Sequence, residues 1–89
     1  MLLTTSNLET HGWLFSPSLC LMVREHEVGN GKWDVEMDSY TNMGSEDDPR
    51  WDNDQKVFDC ADTLDELTKN AKYLTATRDW IDGDRVEFF

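Results

Sequence analysis

Residues 32–40 alternate without a break. Trp33, Val35 and Met37 fall on one side, and Asp34, Glu36 and Asp38 on the other. Side chains alternate along a strand but return every three or four residues along a helix, so this run predicts a strand with one dry face. Gly29-Asn30-Gly31 precedes it and marks a tight turn. Before the turn, residues 19–28 read as a second strand, with Leu21 and Val23 alternating with Met22 and Arg24.

Charge selects the register of this hairpin. A two-residue loop would set Glu27 opposite Asp34 and Glu25 opposite Glu36, and directly opposed like charges are destabilising. A three-residue loop sets His26 opposite Asp34, Arg24 opposite Glu36 and Val23 opposite Met37. The sequence therefore predicts the three-residue Gly29-Asn30-Gly31 loop.

The same rules apply to the remaining segments. Residues 1–12 show no clean period and are expected to be loosely ordered. Pro17 separates a short strand at 13–16 from the strand at 19–28. Residues 41–55 hold Gly44, Pro49 and the run Glu46-Asp47-Asp48, and predict an exposed acidic loop with Trp51 in its middle. Residues 56–58 form a short third strand. Thr63 with Glu66 then fits the capping box that starts a helix. Leu64, Leu67, Ala71, Leu74 and Ile81 share its apolar face, and Thr75-Ala76-Thr77 is weak helix material, so a bend or stop is expected near residue 76. Gly83 suits a helix stop, and residues 85–89 a last strand with Val86 and Phe88 inward. Trp33 and Trp80 are assigned to the core. The expected fold is α+β: a small, mainly antiparallel sheet in the order β-β-β-α-β, with one helix on one face and a single domain over residues 1–89.

Composition narrows the function. Nineteen Asp and Glu against eight Lys and Arg give a formal charge of −11. Such a surface repels nucleic acid and anionic membrane and attracts basic proteins. No run approaches the roughly 20 apolar residues of a membrane span, and residues 1–12 lack the basic and apolar regions of a secretory signal. A cytoplasmic location is expected, with Cys20 and Cys60 as reduced, buried thiols. A disulfide stays open if their strands are neighbours.

Catalytic and metal chemistry find no motif. His11 and His26 are not paired with a nucleophile, and Ser16, Ser18 and Ser39 lack the context of a triad. Asp52-Asn53-Asp54 begins the alternation of a calcium loop, with Asp47, Asp48 and Asp59 nearby, but no glycine comes after it. Zinc-ligand spacing and a glycine-rich phosphate loop are missing. The expectation is a non-enzyme without cofactor or metal.

Residues 57–80, VFDCADTLDELTKNAKYLTATRDW, resemble the third strand and helix of HicB-type antitoxins. The family's segment has the form G-D-T-L-E-E-A-x-x-N-A-K-E. Asp62, Thr63, Leu64, Asp65, Glu66, Leu67, Asn70, Ala71 and Lys72 stand at the corresponding positions. A hairpin before the third strand also agrees with the family's order. The resemblance implies an antitoxin that neutralises a small basic RNase toxin. The family's turn before the third strand is replaced here by residues 41–55, and DNA binding is not implied.

The residues' own reading points to a surface. Asp34, Glu36 and Asp38 project alike at steps of about 6.8 Å, close to twice the rough 3.4 Å rise per phosphate along one DNA strand. With Tyr40, Glu46, Asp47, Asp48, Asp52 and Asp54 they form a candidate partner-binding face that imitates a phosphate track. Trp51 has two equal readings, an interface anchor within an acidic rim or a lid on the small core. The expected function is a non-catalytic inhibitor of a basic nucleic-acid-binding protein (a nuclease, toxin or defence complex), of the phage anti-defence, anti-CRISPR-like type. It would act as a monomer or homodimer.

Overall fold

A computed structural model describes residues 1–27 and 33–89, with the backbone alone at His26, Glu27, Trp33, Asp34, Gln55 and Lys56. The Gly29-Asn30-Gly31 turn and the core assignment of the Trp33 side chain lie outside the described residues. The chain folds as a small α+β domain around an antiparallel sheet. Its elements are α1 (Thr5–His11), β1 (Trp13–Ser16), β2 (Leu21–Glu27), β3 (Trp33–Asn42), β4 (Trp51–Ala61), α2 (Leu64–Asn70), α3 (Tyr73–Ala76) and β5 (Ile81–Asp82), then a 3-10 turn (Gly83–Arg85). The five strands lie in the order β4-β3-β2-β1-β5.

The hairpin register agrees with the charge argument. Arg24 pairs with Glu36, His26 with Asp34 and Val23 with Met37. The short strand before Pro17 is also present, as β1 against β2.

Residues 1–12, expected to be loose, instead form a capped helix. The Thr4 hydroxyl accepts the Asn7 N–H at 3.0 Å, and Gly12 closes the other end with φ 79° and an N–H donated to the Leu8 carbonyl at 2.7 Å. Leu3 and Leu8 tie it down, and Leu8 is fully buried.

The expected helix after residue 63 breaks in two. The Thr63 hydroxyl accepts the Glu66 N–H at 3.2 Å, as half of a capping box would, and starts α2. Ala71 leaves the helical region, and α3 resumes as a separate short turn. Two short helices therefore stand where one was expected, and α1 adds another at the start of the chain. Gly83 does not stop a helix. It lies under the Trp13 ring, where a Cβ would overlap the indole atoms. The expected strand at 85–89 reduces to a single parallel bridge between Phe88 and Trp51.

Two cores result, one on each side of the sheet. Leu14, Val23, Val35 and Met37 pack under the helices against Leu8, Leu64, Leu67, Leu74 and Trp80. The fully buried Trp80 donates its indole N–H to the Leu74 carbonyl at 2.9 Å, so its polar atom is satisfied. On the opposite side Phe15, Met22 and Trp51 are buried beneath Trp13, Tyr40, Val86 and Phe88. The chain after β5 straps this side, with Phe88 stacked on Trp13 at 5.2 Å.

Candidate protein-docking surface

The strap decides the fate of the β3 carboxylates. Asp38 shares its face with Met22 and Phe15, since Phe15 pairs with Met22 and Met22 with Asp38. Covering that face leaves Asp38 only 4% exposed. Arg24 answers the buried charge. Its guanidinium lies 3.8 Å from Asp38 and grips the half-buried Glu36 at 2.6 and 2.8 Å. Glu36 and Asp38 are therefore not an open phosphate-like track, because each is drawn inward by Arg24 and by the second core. The Asp34 backbone sits on β3 opposite His26, and its side chain lies outside the described residues.

Tyr40 and Trp51 belong to the same packing. Tyr40 lies edge-on to Phe15 at 5.6 Å, and its hydroxyl reaches the Met22 sulfur at 3.7 Å. Burial pushes the phenol upward from its ordinary value. Trp51 is 8% exposed and packs on Phe15 at 4.9 Å. Of its two readings, the lid on the core is the one the packing realises.

The expected 41–55 loop shortens to residues 43–50, because β3 runs on to Asn42 and β4 begins at Trp51. What remains is a braced turn. The Asn42 side-chain oxygen accepts the Gly44 and Arg50 N–H groups at 2.9 and 3.0 Å, and Ser45 Oγ accepts the Asp48 N–H at 3.0 Å. A Cβ on Gly44 would strike the Asp48 carbonyl and the Arg50 nitrogen, so glycine is required there. Glu46, Asp47 and Asp48 are held out in water by this frame, with Arg50 at 3.7 Å from Asp48.

The acidic line continues along β4, an edge of the sheet. Asp52, Asp54 and Asp59 are exposed. Asp54 accepts the Ser39 and Thr41 hydroxyls at 3.0 and 2.7 Å, which fixes its carboxylate. Asp62, Asp65 and Glu66 extend the line into the start of α2 and are exposed as well. Sequence reading places Glu66 in the capping box and Asp62 and Asp65 in the HicB-like segment, and misses the continuity of all three with β4. The signal available was their nearness in sequence to Asp59, which carries the same charge out of the strand.

Near this end a cavity of about 240 Å3 is lined by Glu9, Glu25, Asp62 and Asp65 together with Val35 and Leu64. Partial burial, and then the Glu9 charge, push the Glu25 carboxyl above its ordinary range.

The thiols depart from expectation. Both cysteines are free, but Cys60 is exposed on β4 and Cys20 only half-buried. Cys60 lies on the edge strand β4, where side chains meet water, and Cys20 sits in the turn between β1 and β2 with φ 57°. Among the described residues, no group of three or more His, Cys, Asp or Glu is placed to hold a metal ion. No helix among them is long and apolar enough to cross a membrane. No protein-family model matches the sequence, and no curated protein or solved structure is significantly similar to it.

Proposed function

We propose that this domain is a non-catalytic inhibitor that docks its acidic margin on a basic nucleic-acid-binding protein, as a nucleic-acid mimic of the phage anti-defence, anti-CRISPR-like type. One observation carries the reading. Glu46, Asp47, Asp48, Asp52, Asp54, Asp59, Asp62 and Asp65 are exposed along one margin made by a braced turn, an edge strand and a helix start. Like charges gathered this way repel one another, and a cationic groove relieves that repulsion. Asp52 and Asp54 stand about 6.8 Å apart along the strand, near twice the rough 3.4 Å phosphate rise on one DNA strand. The field of such a margin steers a basic partner and raises its association rate more than its intrinsic affinity. The partner is a nuclease, toxin or defence complex, met in the cytoplasm of a bacterial or phage-infected cell. The domain acts there as a monomer or homodimer.

A second reading, an antitoxin in the HicB manner against a small basic RNase, draws on one feature. The hairpin β2–β3, the strand β4 and the Thr63-capped α2 succeed one another in the family's order. Both readings require a basic protein partner and differ in its identity.

The test uses wild-type bait beside a variant carrying Asp47→Asn, Asp48→Asn, Asp52→Asn, Asp59→Asn and Asp62→Asn. Partners captured from host lysate are expected to be basic, to be displaced by added duplex DNA, and to be lost from the variant while its Tm is unchanged. A folded variant that keeps the same partners removes the acidic margin from the mechanism. Identification of a small RNase among the captured proteins selects the antitoxin reading.

A further inference from the structure

Resting on that reading, we propose that the partner is gripped by strand addition: an extended, Lys- or Arg-bearing segment of it pairs with the outer edge of β4 beyond Trp51. Edge strands present a row of backbone donors and acceptors that another chain can complete. This domain already uses the first position in that way. The Trp51 N–H donates to the Glu87 carbonyl at 3.0 Å, and the Phe89 N–H donates to the Trp51 carbonyl at 2.7 Å. The bridge through Phe88 is parallel and confined to Trp51. Among the described residues, no strand pairs with the outer side of β4 after it. Backbone groups alternate in direction along a strand, so the edge that Trp51 opens outward continues in the same sense along β4.

Side chains supply an apolar grip at the far end. Between Tyr40 and Asp38 β3 advances from 40 to 38 while β4 advances from 53 to 57. Between Asp38 and Met37 it gains a further residue, Phe58. These bulges re-aim side chains and leave Val57 at 55% and Phe58 at 57% exposure. The pair sits between Asp54 and Asp59. An incoming strand with apolar residues against Val57 and Phe58 and cations against the two aspartates satisfies both. A second copy of this chain would bring Asp52, Asp54 and Asp59 against carboxylates again, and directly opposed like charges disfavour it.

The probe is a short capped peptide of alternating Lys and Val, compared with the same peptide methylated at every backbone nitrogen. Both carry the same charge, but only the first can donate hydrogen bonds to the edge. The unmodified peptide is expected to bind at least about tenfold more tightly, the effect of one or two backbone bonds. It should also slow amide exchange on β4 after Trp51. The double variant Val57→Ser, Phe58→Ser should weaken it several-fold at unchanged Tm. Equal binding of the two peptides, with equal salt dependence, overturns strand addition and leaves acidic docking standing. Binding by neither at low salt overturns both. Concentration-dependent dimerisation that protects the β4 amides without peptide makes a second copy the occupant and overturns the proposal.

Discussion

The two margins of the sheet carry the same kind of side chain and use it differently. At the β1–β5 margin each carboxylate serves the fold. Asp79 accepts the Ser16 hydroxyl at 2.6 Å and the Ser18 N–H at 2.8 Å, Asp82 lies 3.2 Å from the His11 imidazole, and Asp84 accepts the Trp13 indole N–H at 3.0 Å. At the β4 margin the carboxylates face water, and Asp54 is the one that takes two side-chain hydroxyls. The contrast explains how a chain of net charge −11 folds. One set of acids is neutralised by hydrogen bonds it was placed to receive, and the repulsion of the other is left to solvent. A margin that contributes little to stability is free to be shaped by what it meets.

Four substitutions probe that contrast, the largest at the knitted margin. Trp80→Ala empties a fully buried site next to β5 and leaves the Leu74 carbonyl without its indole donor. A cost of about 3–5 kcal/mol is expected, as for large aromatic truncations, read as a drop in the denaturation midpoint. For a domain of this size that is a large share of total stability. A loss below about 1 kcal/mol would mean that the helical core does not carry the fold.

The next compares aspartates across the sheet. Asp79→Ala removes the short acceptor of the buried Ser16 hydroxyl and of the Ser18 N–H, leaving that hydroxyl only the longer 3.3 Å contact with Ser18 Oγ, with an expected cost of about 1–3 kcal/mol. Asp54→Ala frees hydroxyls that water can reach, so its cost should stay within about 0.5 kcal/mol. The two also differ with pH. Burial pushes the Asp79 carboxyl up, but the bonds from Ser16 and Ser18 outweigh it and hold it below the ordinary 3.8. A depressed folded-state value means that the stabilisation is complete above the unfolded value and is lost as pH falls through the folded one. The Asp79→Ala penalty is therefore expected to be full at neutral pH and to shrink below about pH 3.8. Equal penalties at the two sites would erase the distinction between margins.

The parts of this arrangement legible in the sequence are those set by near neighbours. The β2–β3 register came from which charges would face each other, and the α2 start from Thr63 and Glu66. The helix at Thr5–His11 escaped because Leu3 and Leu8 are spaced too irregularly to show a period, while its definition lies in the Thr4 and Gly12 caps. The long β4 escaped because its polar composition resembles a loop and its bulges break the alternation by which strands are recognised. The burial of Asp38 and Trp51 depends on Phe88, far away in sequence, crossing the opposite face of the sheet. Exposed alternation on β3 was a sound inference for a one-sided sheet, and this sheet has a second core. Glu46, Asp47, Asp48, Asp52 and Asp54 were correctly read as exposed, since a polar turn and an edge strand leave them in water whichever side is covered.

The smallest effect tests whether the displayed margin is held against its own repulsion. Glu25 shares a cavity wall with Glu9, Asp62 and Asp65, and burial, then the Glu9 charge, raises its carboxyl above the ordinary 4.5. A raised folded-state value means that the fold favours the protonated acid. The associated stability is complete below the unfolded value and is lost as pH rises through the folded one. Glu25→Gln keeps the shape and removes the charge, so the variant should be the more stable protein at neutral pH. Solvent screening limits the gain to about a few tenths of a kcal/mol. The difference should close as the pH falls below about 4.5, where wild type is itself neutral at this position. Added salt should narrow it at neutral pH, since the Glu9 part is Coulombic. A variant less stable than wild type at neutral pH would show that Glu25 is engaged by a partner in the fold. The cavity end of the β4 margin would then belong with Asp79 and Asp82, on the side where carboxylates hold the domain together.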